Sequence, residues 1–466
     1  MILCLSGYRY LKVRQGGQAG LTFRWGRKGR ASGAAAVDRN LAKTIHKEEK
    51  YPLIILLYES IDDWRSTLQI RKVRTMQQSM PGFEQSLASL RTWVRAVAIP
   101  NEARVAEADE VPEDLVQQMR DKGFFGWIIP REFGGAGFSM EQLALADMEI
   151  AQSSTAFRAR FGTNTGIGVE GLVRDGTDAQ KARFLPRLAT GELTSCMAIT
   201  EPEAGSDATA MTTTAVRDGD SYVLNGTKVF ITNAPIADLF TVIARTDPNV
   251  RGSRALSAFL VERGTPGLGT GAPYRKMGQE GSPVSEVYLQ DCRVPAENLL
   301  GGVEGKGFET MMKALNKQRI NLAALCTGSA IRMLDEMVAY ALTRRQYGSR
   351  IGDFQLVQAL IADSQTDVHT ARALILDTAR RWDAGEDVIM EASICKYHAS
   401  EACGRVADRA VQVFGGAGYV ADYSCIERLY RDARLFRLYE GTSQIHQLNI
   451  AKRTLKKAAA LAASVA

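Results

Sequence analysis

Phe83, Leu87, Leu90, Val94 and Val97 recur three or four positions apart until Pro100 interrupts them, the spacing of one buried helix face. The helical period reappears over residues 113–122 and 140–153, separated by the turn-rich Pro130-Arg131-Glu132-Phe133-Gly134-Gly135-Ala136-Gly137. These stretches predict a helical domain over residues 81–190. After Gly191 the pattern changes to short β-rich runs. Residues 222–224 and 228–231 flank Asn225-Gly226, a pair that accepts the positive φ angles of a type I′ turn, and so predict a β-hairpin. Further runs at 239–245, 256–261 and 286–289 make residues 191–302 a small β-domain that closes at Gly301-Gly302. Beyond Gly305 long helical stretches follow at 308–343, 355–382 and 388–414; with the segment after Tyr423 they predict an antiparallel four-helix bundle over residues 303–466. The expected fold class is α+β: an N-terminal helical domain, a middle small β-domain and a C-terminal four-helix bundle.

With 466 residues and 45% apolar content, the chain is long enough for two or three domains. Its net charge of +6 is unevenly placed: residues 1–75 hold 15 Lys/Arg against 6 Asp/Glu, while the remainder holds 43 against 46. The body is near neutral, so no nucleic-acid groove is expected. Residues 1–80 form an extension with no assigned role. Its first 37 residues carry seven Lys/Arg and no acid, as in a mitochondrial transit peptide, yet serine is scarce and the apolar run 53–58 is too short to span a bilayer. A start at Met76 or Met80 is the favoured reading, and leaves the upstream residues outside the working protein. The expected location is cytoplasmic in a bacterium, or the mitochondrial matrix if the extension is a transit peptide. Seven scattered cysteines, an odd count without short paired spacing, suit a reducing compartment. Cys395, His398 and Cys403 do not converge on one point of a helix, so no metal site is expected.

Near the end of the chain, Tyr439-Glu440-Gly441-Thr442-Ser443-Gln444-Ile445-His446 follows the amphipathic run 426–438, where a helix gives way to a turn. A carboxylate beside a glycine at such a break can face a pocket, which makes Glu440 a candidate base. The same residues also read as a helix exit followed by an N-cap at Thr442 or Ser443. Far upstream, Ala198-Ile199-Thr200-Glu201-Pro202-Glu203-Ala204-Gly205-Ser206-Asp207 precedes Asn225-Gly226-Thr227-Lys228-Val229-Phe230-Ile231-Thr232-Asn233. Together these stretches resemble the acyl-CoA dehydrogenase family from about residue 83 to about residue 453, and helix, sheet, helix is that family's domain order.

The resemblance implies FAD as cofactor and the α,β-dehydrogenation of an acyl-CoA thioester to a trans-2-enoyl-CoA, the chemistry of fatty-acid β-oxidation. A carboxylate takes the proton beside the thioester carbonyl, a hydride passes from the next carbon to flavin, and the electrons leave through an electron-transfer flavoprotein. The family's base matches Glu440, whose backbone N–H, with a ribityl hydroxyl of FAD, would form the oxyanion hole. A carboxylate is a feeble base in water, so such a site must exclude water and raise its pKa. Part of the family carries its base at the position occupied here by Gln318, whose amide cannot accept a proton. Arg319 matches an arginine near the base, with a bundle ion pair as the alternative.

Ile199, Thr200 and Thr232 match residues beside the flavin ring, and Ser206 one near flavin and substrate. Phe230 covers the ring where many members have Trp, which keeps the stacking and loses the indole donor. Thr442 and Gln444 match contacts beyond the base. Arg344 (at the pyrophosphate), Gln346 and Tyr347, with Gln412, Val413, Phe414, Gly415 and Gly416, match residues that meet the FAD of a neighbouring subunit, implying a homodimer or homotetramer. Gly416-Ala417-Gly418-Tyr419-Val420-Ala421 fits G-x-G-x-x-A but follows a helix-like run and not a strand, so the dinucleotide-binding context fails. Ala156-Phe157-Arg158 and residues 225–240 resemble the glutaryl-CoA dehydrogenase subfamily, so Arg158 is expected to bind an acidic acyl tail. Arg160 lies two residues on, and a surface ion pair is the alternative for either. Functional alternatives are an acyl-CoA oxidase with the same residues, a glutaryl-CoA-type dehydrogenase, and a catalytically silent acyl-CoA-binding protein on the same fold.

Overall fold

The computed structural model describes residues 2–5, 9–15, 21–26, 81–247, 249–250 and 252–465. The chain divides into two units, the first ending at Gln78. In it β1 (Ile2–Leu5), β2 (Arg9–Gln15) and β3 (Leu21–Gly26) pair antiparallel in that order. The run 53–58, Met76 and Met80, and with them the transit-peptide and alternative-start readings, lie outside the described residues.

The second unit opens with α1 (Pro81–Trp93), which runs on through a π turn, Val94–Ala98, and a 3-10 turn, Ile99–Asn101. Leu90, Trp93 and Val94 form its buried edge. Pro100 has no N–H to extend the helical ladder, which is why the helix tightens there. Next come α2 (Glu102–Ala108), α3 (Glu113–Asp121), α4 (Met140–Ile150), α5 (Thr155–Gly162), α6 (Ile167–Asp175) and α7 (Asp178–Ala189). Helix α4 starts at a capping box, Ser139 with Gln142, and ends three residues short of the pattern. Ser154, four residues beyond its end, caps α5, its hydroxyl accepting the Ala156 N–H at 3.3 Å.

The seven-stranded sheet comprises β4 (Ser195–Ala198), β5 (Thr214–Asp218), β6 (Ser221–Thr232), β7 (Leu239–Arg245), β8 (Leu256–Glu262), β9 (Leu268–Thr270) and β10 (Val284–Pro295). Its order is β4-β7-β5-β6-β10-β9, with β8 also on β7. The predicted hairpin at Asn225-Gly226 is not there: both residues lie inside the continuous β6, and the turn comes earlier, where Asp218 pairs Ser221. They face instead the bulge of β10 between Leu289 and Cys292. Asn225 Oδ1 accepts the Asp291 N–H at 2.8 Å and its Nδ2 donates to Asp291 Oδ1 at 3.1 Å, supplying the partners the bulge lacks. A Cβ on Gly226 would lie 2.8 Å from Thr213 Cα, so glycine there permits a close approach of chains.

The bundle contains α8 (Gly307–Thr343), α9 (Gln355–Asp383), α10 (Ile389–Phe414), the short α11 (Ile426–Arg434) and α12 (Ser443–Val465). Helix α8 crosses α4 closely enough that a side chain on Gly328 would collide with the Met148 carbonyl. One apolar core runs from Leu90 and Phe157 of the N-terminal helices to Met333, Cys403 and Phe436 of the bundle. A second, through Val169, Phe184, Leu260 and Met311, joins α6 and α7 to the sheet and to the start of α8. One carboxylate ties the three parts together. Asp432 of α11 accepts from Thr155 Oγ1 of α5 at 3.3 Å and from the N–H of Gln279, in the loop between β9 and β10. Burial pushes this carboxyl up to about 6.

Candidate active site

The run predicted over 426–438 forms α11 and then a single 3-10 turn, Leu435–Arg437. The chain reverses and enters α12, capped by Thr442, whose Oγ1 accepts the Ile445 N–H at 3.2 Å. The reversal needs two left-handed residues in succession, Glu440 at φ 56° and Gly441 at φ 96°. Glycine adopts this freely, whereas a residue with a Cβ is disfavoured by roughly 1–2 kcal/mol and must be held. Two buried side chains provide the hold: His446 Nε2 donates to the Glu440 carbonyl at 3.2 Å, and Lys396 Nζ, from α10, to the Gly441 carbonyl at 2.6 Å.

Glu440 Oε2 is shielded from water and has no hydrogen-bond partner. Burial pushes the carboxyl up to about 8, opposed by the cations Lys396, Arg319 and Arg158 and by the Gln318 amide. Arg319 gives Nη1 to Asn316 Oδ1 at 2.7 Å and not to a bundle carboxylate, while its Nε stays unpaired. Arg158 is 4% exposed; its Nε donates to the fully buried Asp147 at 2.6 Å, and its Nη2 has no partner. Arg160 turns elsewhere, to Thr194 Oγ1 at 3.0 Å and over the Phe125 ring, so of the two arginines Arg158 is the one facing Glu440. Tyr439 lies beside them, its hydroxyl pushed well up by burial and hydrogen-bonded by Gln279.

A second group forms on the sheet. After β4 the loop carrying Ile199 and Thr200 is pinned to β6: the Val229 N–H donates to Thr200 O at 2.9 Å, and the buried Lys228 Nζ to Ile199 O at 3.1 Å and Glu201 Oε1 at 2.8 Å. Burial works against the Glu201 charge, but Lys228 and the N–H groups of Thr212 and Thr213 pull its carboxyl down to about 2. This holds Ile199 and Thr200 against Lys228 and Val229 of β6, the strand that continues through Phe230 to Thr232. Phe230 is 68% exposed on a left-handed backbone, φ 59°, with Tyr274 as its ring neighbour at 5.6 Å. Exposing a large aromatic on a strained residue is unfavourable unless a flat partner covers it. Ser206 is exposed on the same loop, and Gln444 is exposed on the first turn of α12.

Arg344, Gln346 and Tyr347 are exposed on a small hairpin, Arg345–Gln346 with Ser349–Arg350, at the end of α8. Stacking of Tyr340 on Phe414 at 4.1 Å brings the end of α10 to the same place. Val413 and Phe414 spend their side chains in the bundle core, leaving Gln412, Gly415 and Gly416 exposed. Among the described residues no cluster of three metal-binding side chains occurs, and no helix is long and apolar enough to cross a membrane. Lys396 and Asp147 were not singled out by sequence, and His446 was named only as the end of the stretch around Glu440. Lys396 left one trace, a lysine on the face of Ala392, Cys395, Ala399 and Cys403 where the helical period calls for apolar residues.

The family models for the N-terminal, middle and C-terminal domains of acyl-CoA dehydrogenase match residues 83–192, 196–292 and 305–455. The caffeyl-CoA reductase-Etf complex subunit CarC of Acetobacterium woodii is 40% identical over 353 residues, 76% of this chain and 92% of that one. The acryloyl-CoA reductase (NADH) of Anaerotignum propionicum is 38% identical over 395 residues, 84% of this chain and 99% of that one. The butyryl-CoA dehydrogenase structure from Megasphaera elsdenii aligns with a TM-score of 0.78 at 32% identity, covering 82% of this chain and all of that one. Three domain models in unbroken order, and a solved member that aligns along its whole length, show that the chain belongs to the acyl-CoA dehydrogenase family.

Proposed function

We propose that the chain is an FAD-dependent acyl-CoA dehydrogenase in which Glu440 takes the α-proton of a CoA thioester, releasing a trans-2-enoyl-CoA. The observation that carries this reading is the Glu440 carboxyl itself: Oε2 is shielded, unpartnered and faced by Arg319 and Arg158. Desolvation makes the ionised form a stronger base than a carboxylate in water, and the neighbouring cations keep ionisation within reach of neutral pH. Oε2 is then the proton-accepting atom, and Arg319 stabilises the carboxylate before transfer.

The sheet residues fit a flavin. Phe230 offers a mostly exposed aromatic ring, Thr232 follows it on β6, and Ile199 and Thr200 lie on the loop pinned to that strand at Lys228 and Val229. Ser206, Thr442 and Gln444 would complete that group. Arg344, Gln346 and Tyr347, with Gln412, Val413, Phe414, Gly415 and Gly416, would hold FAD of a second copy in a homodimer or homotetramer. When bound, FAD supplies the two-electron acceptor for the hydride that leaves the β-carbon. Electron-transfer flavoprotein is the proposed electron acceptor, supported by the Etf complex named for CarC.

Arg158 narrows the acyl tail. A buried guanidinium N–H without an acceptor costs about 1–3 kcal/mol, which a carboxylate on the tail would recover at Nη2. Turnover of glutaryl-CoA no better than that of butyryl-CoA would remove this assignment.

A second reading concerns direction. A carboxyl near 8 is mostly protonated at neutral pH, which suits it to deliver a proton to an enoyl-CoA, the direction named for the two similar reductases. Glu440 serves both directions, and conversion of crotonyl-CoA by dithionite-reduced protein measures the second. The central test is Glu440→Gln, which should keep yellow flavin yet lose bleaching by a panel of CoA thioesters. Bleaching at the parental rate would show that Glu440 is not the base, and protein that stays colourless after FAD is added would favour the silent binding protein.

A further inference from the structure

Lys396 and His446 come from different helices and end on neighbouring carbonyls, those of Gly441 and Glu440. Both side chains are fully buried. We propose that they are positioning residues for the base: their grip on these two carbonyls holds the left-handed turn from which the Glu440 carboxylate is aimed. The proposal rests on Glu440 acting as the base.

A lysine is expensive to bury, and one with no role beyond packing would normally be replaced by an apolar residue of similar length. This ammonium donates to a backbone carbonyl, and its charge falls on Glu440 more than that of any other cation. The charged and titratable groups facing Glu440 are Lys396 from α10, Arg319 and the Cys326 thiol from α8, Arg158 from α5, His446 from α12 and the adjacent Tyr439. Glu401 also acts on Lys396.

The two grips differ in kind. Burial drives the His446 imidazole down to about 3, so it is neutral at working pH. Because a carbonyl can only accept, the one hydrogen of the neutral ring belongs on Nε2, and Nδ1 has no partner. His446 therefore acts through geometry alone, whereas Lys396 acts through geometry and charge. Loss of the lysine charge raises the Glu440 pKa further, and loss of the histidine donor leaves it in place.

The test reads proton abstraction without hydride transfer: deuterium uptake at Cα of 3-thiabutyryl-CoA in D2O, on FAD-loaded protein across pH, followed by mass spectrometry. The sulfur at the β-position has no hydride to give. Lys396→Met should slow exchange at least about tenfold and move the pH midpoint upward by about one pH unit, with Lys396→Arg recovering to within about threefold. His446→Met should slow exchange at an unmoved midpoint. Parental rates and midpoint in Lys396→Met overturn the proposal; should that variant fail to fold, a parental rate in His446→Met does so. Glu440→Gln, run alongside, separates the two levels: if it exchanges at the parental rate, the assignment of the base fails, and not the grip alone.

Discussion

Raising the pH from 7 to 9 should accelerate α-proton abstraction by this protein, over a range in which an ordinary carboxylate would show no change. Glu440 is pushed up to about 8, first by burial, so the ionised fraction is about a tenth at pH 7, a half at pH 8 and nine-tenths at pH 9. The expected rise in kcat/KM for flavin reduction by butyryl-CoA is therefore about tenfold. Stopped-flow absorbance with limiting thioester measures it, and Glu440→Gln should be slow and flat. Reduction of crotonyl-CoA uses the protonated form, so its dependence should have the opposite sign. Stability moves with the same group. A carboxyl whose folded pKa lies above its unfolded 4.5 favours the protonated native state; that contribution is present below about 4.5 and is lost as the pH climbs through about 8. Glu440→Gln should resist urea better than the parent at pH 9 and about equally at pH 4. A flavin-reduction profile that is level from pH 6 to 9 in the parent would refute the burial argument.

Phe230→Ala should lose flavin on gel filtration with little change in the melting temperature of the FAD-free protein, because the ring is mostly exposed and supports little of the core. Arg158→Met leaves Asp147 buried and unpaired, which should cost about 3–5 kcal/mol in urea unfolding, and adding Asp147→Leu should recover much of the loss. Unchanged stability in the single variant would show that the pair is not desolvated in solution. Gly278→Ala sets a Cβ 2.6 Å from the Arg431 carbonyl carbon, a backbone atom that cannot swing away, and should cost about 1–3 kcal/mol by calorimetry; a neutral outcome would mean that the loop is free to shift.

Helices α9 and α10 were legible because each buries a stripe over many turns, and α8, buried on all sides over residues 318–324, as one long run without proline; the bounds found for all three fall within a residue of those read from the sequence. The turn that carries Glu440 was legible for a different reason, a carboxylate beside glycine at a helix break together with a resemblance of long stretches. The Asn225-Gly226 error shows what local pattern omits: the residues that permit a turn also complete a bulge on the adjacent strand, and the choice depends on Asp291, 66 positions away. Lys396 and Asp147 escaped for the same reason. A buried charge is recognised by its partner, and the partners Gly441 and Arg158 are separated from them along the chain.

The bond network of Asp432 limits how freely such a chain can be recombined. Its partners belong to the helical domain and to the β9–β10 loop, and Tyr439 and Glu440 follow it by about two turns of chain. A chimera that borrows the sheet from a relative while leaving residues 277–281 behind would arrive with a foreign clasp, and the first thing to drift would be the aim of a carboxylate that the graft never touched.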